Sequence, residues 1–168
     1  MIRYAKQEDL KELLGIYNDA IINGTASFEE VSLTFEDGKE WLLSHQEDYP
    51  LLVYEKEERV LGYASLSPFG RARETAYAMT AELSIYIHSD ARGLGLGRAL
   101  ITAIIDEGKK RGKFKNIISV ITEGNEGSVI LHNKMGFVYG GRLTDVAFKH
   151  NEQLSILFYQ KTLVATKK

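Results

Sequence analysis

Residues 80 to 98 constrain the fold most, because a strand, a glycine loop and a helix follow one another there with almost nothing between them. From Thr80 to His88 the side chains alternate, with Leu83, Ile85 and Ile87 on one face and Glu82, Ser84, Tyr86 and His88 on the other. That period of two is the mark of a half-buried strand. Arg92-Gly93-Leu94-Gly95-Leu96-Gly97-Arg98 comes next and leads into Ala99, Leu100, Ala103 and Ile104, an amphipathic helix ending near Gly112. Such a loop gathers free backbone N–H groups and the positive end of the helix dipole at one point, which holds phosphate groups without side-chain charge. A dinucleotide fingerprint starting at Gly93 would need glycine where Arg98 stands, and the Gly-Lys-Ser/Thr ending of a P-loop is absent. By itself the segment fits either an anion cradle or a plain glycine-rich turn.

The rest of the chain supplies more strands and helices in mixed order. Met1 to Ala5 reads as an edge strand, and Leu10, Leu13, Leu14, Tyr17, Ala20 and Ile21 recur with helical spacing. Thr34 and Asp37 form a capping box ahead of a shorter helix bearing Trp41 and Leu42, and Pro50 closes that region. Leu51–Glu55 and Val60–Leu66 form a hairpin across the charged residues 56 to 59, ended by Ser67-Pro68-Phe69-Gly70. Asn116–Ile121 reads as a strand, Ser128–Lys134 as a short helix stopped by Gly136, and Phe137–Lys161 as two or three strands. Without repeats or linkers, residues 1–168 read as one α/β (α+β) domain.

Composition narrows the chemistry. The chain has 21 Lys+Arg against 23 Asp+Glu, a formal charge of −2, so it lacks the basic footprint of a nucleic-acid binder outside the short run Lys109, Lys110, Arg111, Lys113 and Lys115. There is no cysteine, which excludes disulfides, thiolate metal sites and a cysteine acyl carrier. Histidines 45, 88, 132 and 150 are isolated, without metal-ligand spacing, so no metal is expected. Charged residues interrupt the N-terminus and no run of about 18 apolar residues exists, so a cytoplasmic location and no membrane partner are expected. A small-molecule substrate is the default.

The spacing Arg92-x-x-Gly95-x-Gly97 resembles the pyrophosphate loop of the GNAT acetyltransferases. The resemblance continues through Ile2-Arg3-Tyr4-Ala5, Ile16-Tyr17-Asn18, Ser27-Phe28-Glu29, Tyr49-Pro50, Leu61-Gly62-Tyr63-Ala64, Glu82 to Ile87, Asn125, Ser128, Leu131-His132 and Gly136-Phe137. Together these are similar to the branch that acetylates phosphinothricin, methionine sulfone and methionine sulfoximine. The resemblance implies a GNAT-like, mostly antiparallel sheet of six or seven strands flanked by about four helices. It also implies that the central strands splay between the strand ending near Ile87 and the one beginning near Asn116.

For the site, the resemblance implies acetyl-CoA as cofactor and acetyl donor, with the backbone of Ile85, Tyr86 and Ile87 pairing with the pantetheine arm. Arg92, Gly93, Leu94, Gly95, Leu96, Gly97 and Arg98 would cradle the pyrophosphate, and Asn125, Ser128 and Lys134 would line its other side. Read without the resemblance, Asn125 to Ser128 is a turn and helix cap. Acetylating an amine requires a group that removes its proton, and Glu82 matches the position of the family's general base. His132 falls where many relatives carry tyrosine, and is expected either to protonate the departing thiolate or to orient substrate or cofactor. Direct transfer is favoured because no cysteine exists to carry the acetyl group.

Phe28, Glu29, Arg71, Arg73, Tyr77 and Thr80 lie in the family's substrate-side segments, although one extra residue stands between the arginines and Tyr77. Gln153 and Ser155 occupy positions where relatives often carry tryptophan and aspartate. Both departures bear on which amine is accepted. The expected function is N-acetylation of a small amino acid or toxic analogue, and a homodimer is usual in this branch. The alternatives are acetylation of a polyamine or protein amine, and a non-catalytic acyl-CoA-binding module.

Overall fold

The computed structural model describes residues 1–45, 49–70 and 76–163. Strand β1 (Ile2–Tyr4) precedes helices α1 (Leu10–Asn23) and α2 (Phe35–Ser44), then the hairpin β2 (Leu51–Lys56) and β3 (Arg59–Pro68). Strand β4 (Thr80–Ile87) leads through a short 3-10 turn to α3 (Leu96–Arg111), followed by β5 (Asn116–Thr122), α4 (Glu126–Lys134), β6 (Val138–Lys149) and β7 (Glu152–Thr162). The strands form a seven-stranded sheet in the order β1-β2-β3-β4-β5-β7-β6. Every neighbouring pair is antiparallel except β4 and β5. No helix among the described residues is long and apolar enough to cross a membrane.

The alternation read in β4 is realised on two apolar layers. Ala81, Leu83, Ile85 and Ile87 join the cluster in which Leu100, Ile101 and Ile104 of α3 are wholly buried, while Tyr86 packs against the cluster of Leu13, Ile16, Leu42 and Tyr63 beneath α1 and α2. Burying one such Leu or Ile side chain stabilises by about 1.5–3 kcal/mol, so each helix is held by its apolar stripe. The second face of β4, polar by residue type, is therefore covered by a helical layer.

Local signals set the element ends. Asp37 N–H donates to Thr34 Oγ1 at 3.2 Å and Thr34 N–H donates back to Asp37 Oδ2 at 2.8 Å, the reciprocal box expected at the start of α2. The β2–β3 turn places Glu57 and Glu58 at φ 52° and 60°, the left-handed backbone that matches the twist of a two-residue hairpin. Helix α4 begins at Glu126, two residues ahead of the sequence reading, because Asn125 Oδ1 accepts the Ser128 N–H at 3.2 Å and caps it.

The sheet opens in its middle. Strands β4 and β5 pair at Thr80↔Asn116, Ala81↔Ile117 and Glu82↔Ile118, and there the register ends. On either side the ladders continue, β3 with β4 to Gly62↔Ile87 and β5 with β7 to Thr122↔Ile156. From Leu83 onward the β5-facing edge of β4 has no ladder partner among the described residues, in the place where the family resemblance puts a splay.

Gly62 lets β3 lie close against that strand, since a Cβ there would stand 2.7 Å from Ile87 Cδ1 and 3.0 Å from the Tyr86 carbonyl oxygen. The substitution Gly62→Ala is expected to lower stability by about 1–3 kcal/mol through overpacking. Denaturant unfolding of the two proteins measures it.

Candidate active site

The opening between β4 and β5 is a cleft of about 160 Å³ whose walls come from both layers. Glu82, Ser84 and Tyr86 enter it from the α1/α2 side, together with Ala26 and Phe28 of the loop after α1. Ser119, Asn125, Ser128 and His132 enter it from β5 and α4. Because neighbouring residues of a strand point to opposite faces, the cleft passes through the sheet: Glu82 stands on one face and Ser119 on the other.

Glu82 is partly buried, and burial raises its pKa above the ordinary 4.5. Among the described residues no hydrogen bond or cation reaches its carboxylate, so desolvation alone sets the direction. A carboxylate so placed holds a proton more readily than an exposed one. Tyr86 differs: burial, then Tyr17, push its phenol far above its ordinary value, and its hydroxyl donates to the Ala26 carbonyl at 3.3 Å.

His132 is 2% exposed and bonded at both ring nitrogens. Its Nδ1 lies 2.8 Å from the Ser128 carbonyl, which can only accept, so Nδ1 carries the proton. Nε2 then accepts from the Ser119 hydroxyl at 2.9 Å. Burial lowers its pKa below 6.5, which keeps the ring neutral. Ser119 was not singled out in the sequence, although it is the lone polar residue on the strand face it shares with Ile117 and Ile121. That break in an apolar period is the signal for it.

Beyond β4 the chain turns over Ser89–Ala91 into the glycine loop. Gly93 and Gly95 take φ 75° and 84°, and a Cβ on either would meet nothing within 4 Å, so left-handed backbone and open space coincide. Gly95 is the N-cap of α3 and has no side chain to cap the amides after it; the first intrahelical bond there is Ala99 N–H to Gly95 O at 3.2 Å. Of the four α-helices among the described residues only α3 lacks an acid in its first turn, which instead holds Arg98. These features suit an anion. Gly97 has another role, since a Cβ there would lie 2.8 Å from Leu131 Cδ2, and its smallness brings α3 against α4. Leu96 is buried, whereas Leu94, Arg92 and Arg98 are exposed, with Arg92 Nε donating to the Ile87 carbonyl at 3.4 Å.

Of the other residues singled out, Asn125 and Ser128 line the cleft and also form the α4 cap. Lys134 is exposed in the last turn of α4. Glu29, Tyr77 and Thr80 do not line the cleft; Tyr77 packs edge-on to Phe69 at 5.4 Å and Thr80 opens β4 opposite Asn116. Arg71 and Arg73 lie outside the described residues.

A split sheet with a glycine-capped helix at its opening defines an acyl-CoA transferase architecture, and comparison with known proteins agrees. The model of the acetyltransferase (GNAT) family matches residues 5–137. An L-methionine sulfoximine/L-methionine sulfone acetyltransferase of Pseudomonas paraeruginosa is 34% identical over 99% of this chain and 96% of its own length. Among solved structures, a ribosomal-protein-alanine N-acetyltransferase from Brucella melitensis superposes with TM-score 0.92 at 41% identity, over 97% of this chain and 99% of that one. A phosphinothricin acetyltransferase from Sinorhizobium meliloti in complex with acetyl-CoA gives 0.90 at 32% identity, over 99% and 91%. The chain belongs to the GNAT acetyltransferase family. It is an acetyl-CoA-dependent N-acetyltransferase.

The neutral, buried His132 makes the fold sensitive to acid. Below pH 6.5 the unfolded chain takes up a proton that the folded ring resists, so stability falls as pH drops through that value. Replacing His132 by glutamine is expected to flatten this limb, read as Tm against pH between about 7 and 5.

Proposed function

We propose that this enzyme N-acetylates the α-amino group of a small amino acid or toxic analogue of the methionine sulfone, methionine sulfoximine and phosphinothricin type, by direct transfer with Glu82 as general base. The observation that carries this reading is the cleft itself, open to both layers, with a partly buried carboxylate without a cation among the described residues on one side. The curated relative acting on methionine sulfoximine and sulfone matches over nearly the whole chain, which supports the substrate class.

Bound acetyl-CoA supplies an activated acetyl thioester. The unpaired edge of β4 at Ile85, Tyr86 and Ile87 offers backbone groups to an extended amide arm, as a further strand would. Arg92 to Arg98 receive the pyrophosphate on the amides ahead of Ala99, with Gly93 and Gly95 leaving the approach open. Asn125 and Ser128 close the opposite wall, with Lys134 further along α4. Glu82 takes the proton of the incoming ammonium, and burial brings its basicity toward that task. His132 holds the Ser119 hydroxyl toward the cleft, so its contribution runs through that hydroxyl. Phe28 forms the apolar wall for the acceptor, and Glu29, Arg71, Arg73, Tyr77 and Thr80 belong to the segments that select it.

A second reading, acetylation of a protein N-terminus, is favoured by the Brucella melitensis relative at 41% identity. Release of CoA thiol with methionine sulfone, methionine sulfoximine, phosphinothricin, spermidine and an alanine-ended peptide in parallel separates the two, and the lack of cysteine keeps the protein out of the thiol signal. A homodimer is part of the proposal. The outer strand β6 leaves Val138, Tyr139, Leu143, Val146 and Phe148 exposed, an apolar surface a second copy would cover.

Glu82→Gln is expected to lower turnover at least tenfold. In the wild type kcat/KM should fall as pH drops through a value above 4.5, because the base must be ionised, and the variant should lose that limb. The same change relieves a charged group that folding desolvates, a penalty complete above the raised pKa and lifted below it, so the variant's Tm should not fall at neutral pH. An unaltered rate removes Glu82 from the mechanism. Gly95→Val forces a branched residue onto φ 84° and fills the open approach, and calorimetry should show acetyl-CoA binding lost in a folded protein.

A further inference from the structure

The segment of residues 24–34 between α1 and α2 overhangs the cleft from the α1/α2 side, where its Ala26 and Phe28 are part of the wall. It lies outside any ladder, and its hold on the body of the protein comes from side chains. Four consecutive carbonyls are engaged. His150 Nε2 donates to Gly24 O at 3.3 Å, Thr122 Oγ1 to Thr25 O at 2.5 Å, Tyr86 OH to Ala26 O at 3.3 Å and Lys149 Nζ to Ser27 O at 2.7 Å. The donors come from β4, β5 and the β6–β7 corner, so the loop is fastened across the mouth of the split.

Lys149 stands apart among them. It is 3% exposed at the end of β6, and burial pulls its ammonium below the usual lysine range, opposed by the nearby Glu30 and Glu29. An unbranched apolar side chain would fill the same space without desolvating a charge, so what the lysine adds is its bond to Ser27. That bond bears on the cleft directly. Ser27 is itself buried, its Oγ accepts the Glu29 N–H at 3.2 Å and donates to Tyr17 OH at 3.3 Å, and the peptide that Lys149 grips is the one linking Ser27 to Phe28. Holding the Ser27 carbonyl therefore sets where Phe28 stands relative to Glu82 in the cleft wall.

We propose that Lys149 is a positioning residue for the acceptor amine: by anchoring the Ser27 carbonyl from the β6–β7 corner it holds the Phe28 wall at the distance from Glu82 at which a small amine is captured. The inference rests on the reading of the cleft as an amine acetylation site. It separates two halves of the site, because among the described residues the hydrogen bond of Lys149 goes to the Ser27 carbonyl and none goes to the glycine loop or the free edge of β4.

The test uses the full-length enzyme and Lys149→Met, which keeps the reach and removes the bond, with Lys149→Arg as the conservative partner. For Lys149→Met the KM for methionine sulfone is expected to rise about tenfold or more, with acetyl-CoA affinity within about twofold of wild type. Hydrogen exchange should quicken at the amides of residues 25–33 and nowhere in α3 or β5, and Lys149→Arg should recover most of both effects. Unchanged exchange in that loop overturns the anchor. Faster exchange with an unchanged amine KM overturns the positioning role, and an equal loss of acetyl-CoA affinity shows a general loosening instead. If the wild-type enzyme acetylates none of the amines, the proposed function fails, and the anchor is then judged on the exchange of residues 25–33 alone.

Discussion

Three residue pairs between two parallel strands decide what this protein can do. Strands β4 and β5 meet at Thr80↔Asn116, Ala81↔Ile117 and Glu82↔Ile118 and then part, while their outer neighbours keep both strands extended for several residues more. A sheet interior normally has every backbone donor and acceptor paired, since an orphaned pair buried away from water is costly. Here the unpaired edge is tolerated because it borders a cleft, and it becomes the surface against which an extended, amide-bearing cofactor arm can lie. The helices follow from the same opening: α3 starts at its rim with uncapped amides, and α4 closes its far wall with an asparagine cap and a buried histidine.

Splitting the sheet also separates chemical roles by side. Residues of β4 that face the α1/α2 layer bring a desolvated carboxylate and Tyr86, which packs edge-on to Tyr17 of α1 at 5.1 Å and against Tyr63 of β3. Residues of β5 and α4 facing the other layer bring the Ser119 hydroxyl and the neutral imidazole that holds it. Among the described residues neither side carries an ion pair, so the cleft presents one desolvated carboxylate among neutral dipoles, the setting on which the proposed proton transfer rests. The loop after α1 supplies Ala26 and Phe28 to the cleft wall, and because it has no ladder of its own, its geometry is inherited from the strands that grip it.

Much of this architecture was legible from period and punctuation. The alternation of Thr80 to His88, the glycines at 93 and 95, the Thr34/Asp37 box and the 56–59 turn each depend on neighbours in the chain, and each appears where the local pattern puts it. The glycine loop was marked for the same reason, whereas Glu82 as a base and the splay of the sheet were expectations from family likeness. Other features had no local signature. Gly97 reads in sequence as one more phosphate-loop glycine, yet in the fold its missing Cβ makes room for Leu131, thirty-odd residues away. His132 reads as a catalytic acid or an orienting group, and only its two partners, Ser128 O and Ser119 Oγ, show that its proton sits on Nδ1 and is held by the Ser128 carbonyl. Lys149 carries no local signal and is buried at the end of β6, where it bonds the Ser27 carbonyl of the loop after α1.

The sequence by itself therefore determined the strand, loop and helix unit and the order of the elements, since hydrophobic period, turn glycines and helix caps act over a few residues, while the ligand came from family likeness. Only the tertiary structure decided how far β4 and β5 stay together, which face of the opened sheet each polar group enters, and how the acceptor loop is fastened. Those depend on contacts such as Lys149 to Ser27 and Thr122 to Thr25, between residues 122 and 97 positions apart. No pattern within a strand or helix encodes a hydrogen bond over that distance, because its geometry exists only once the layers have packed.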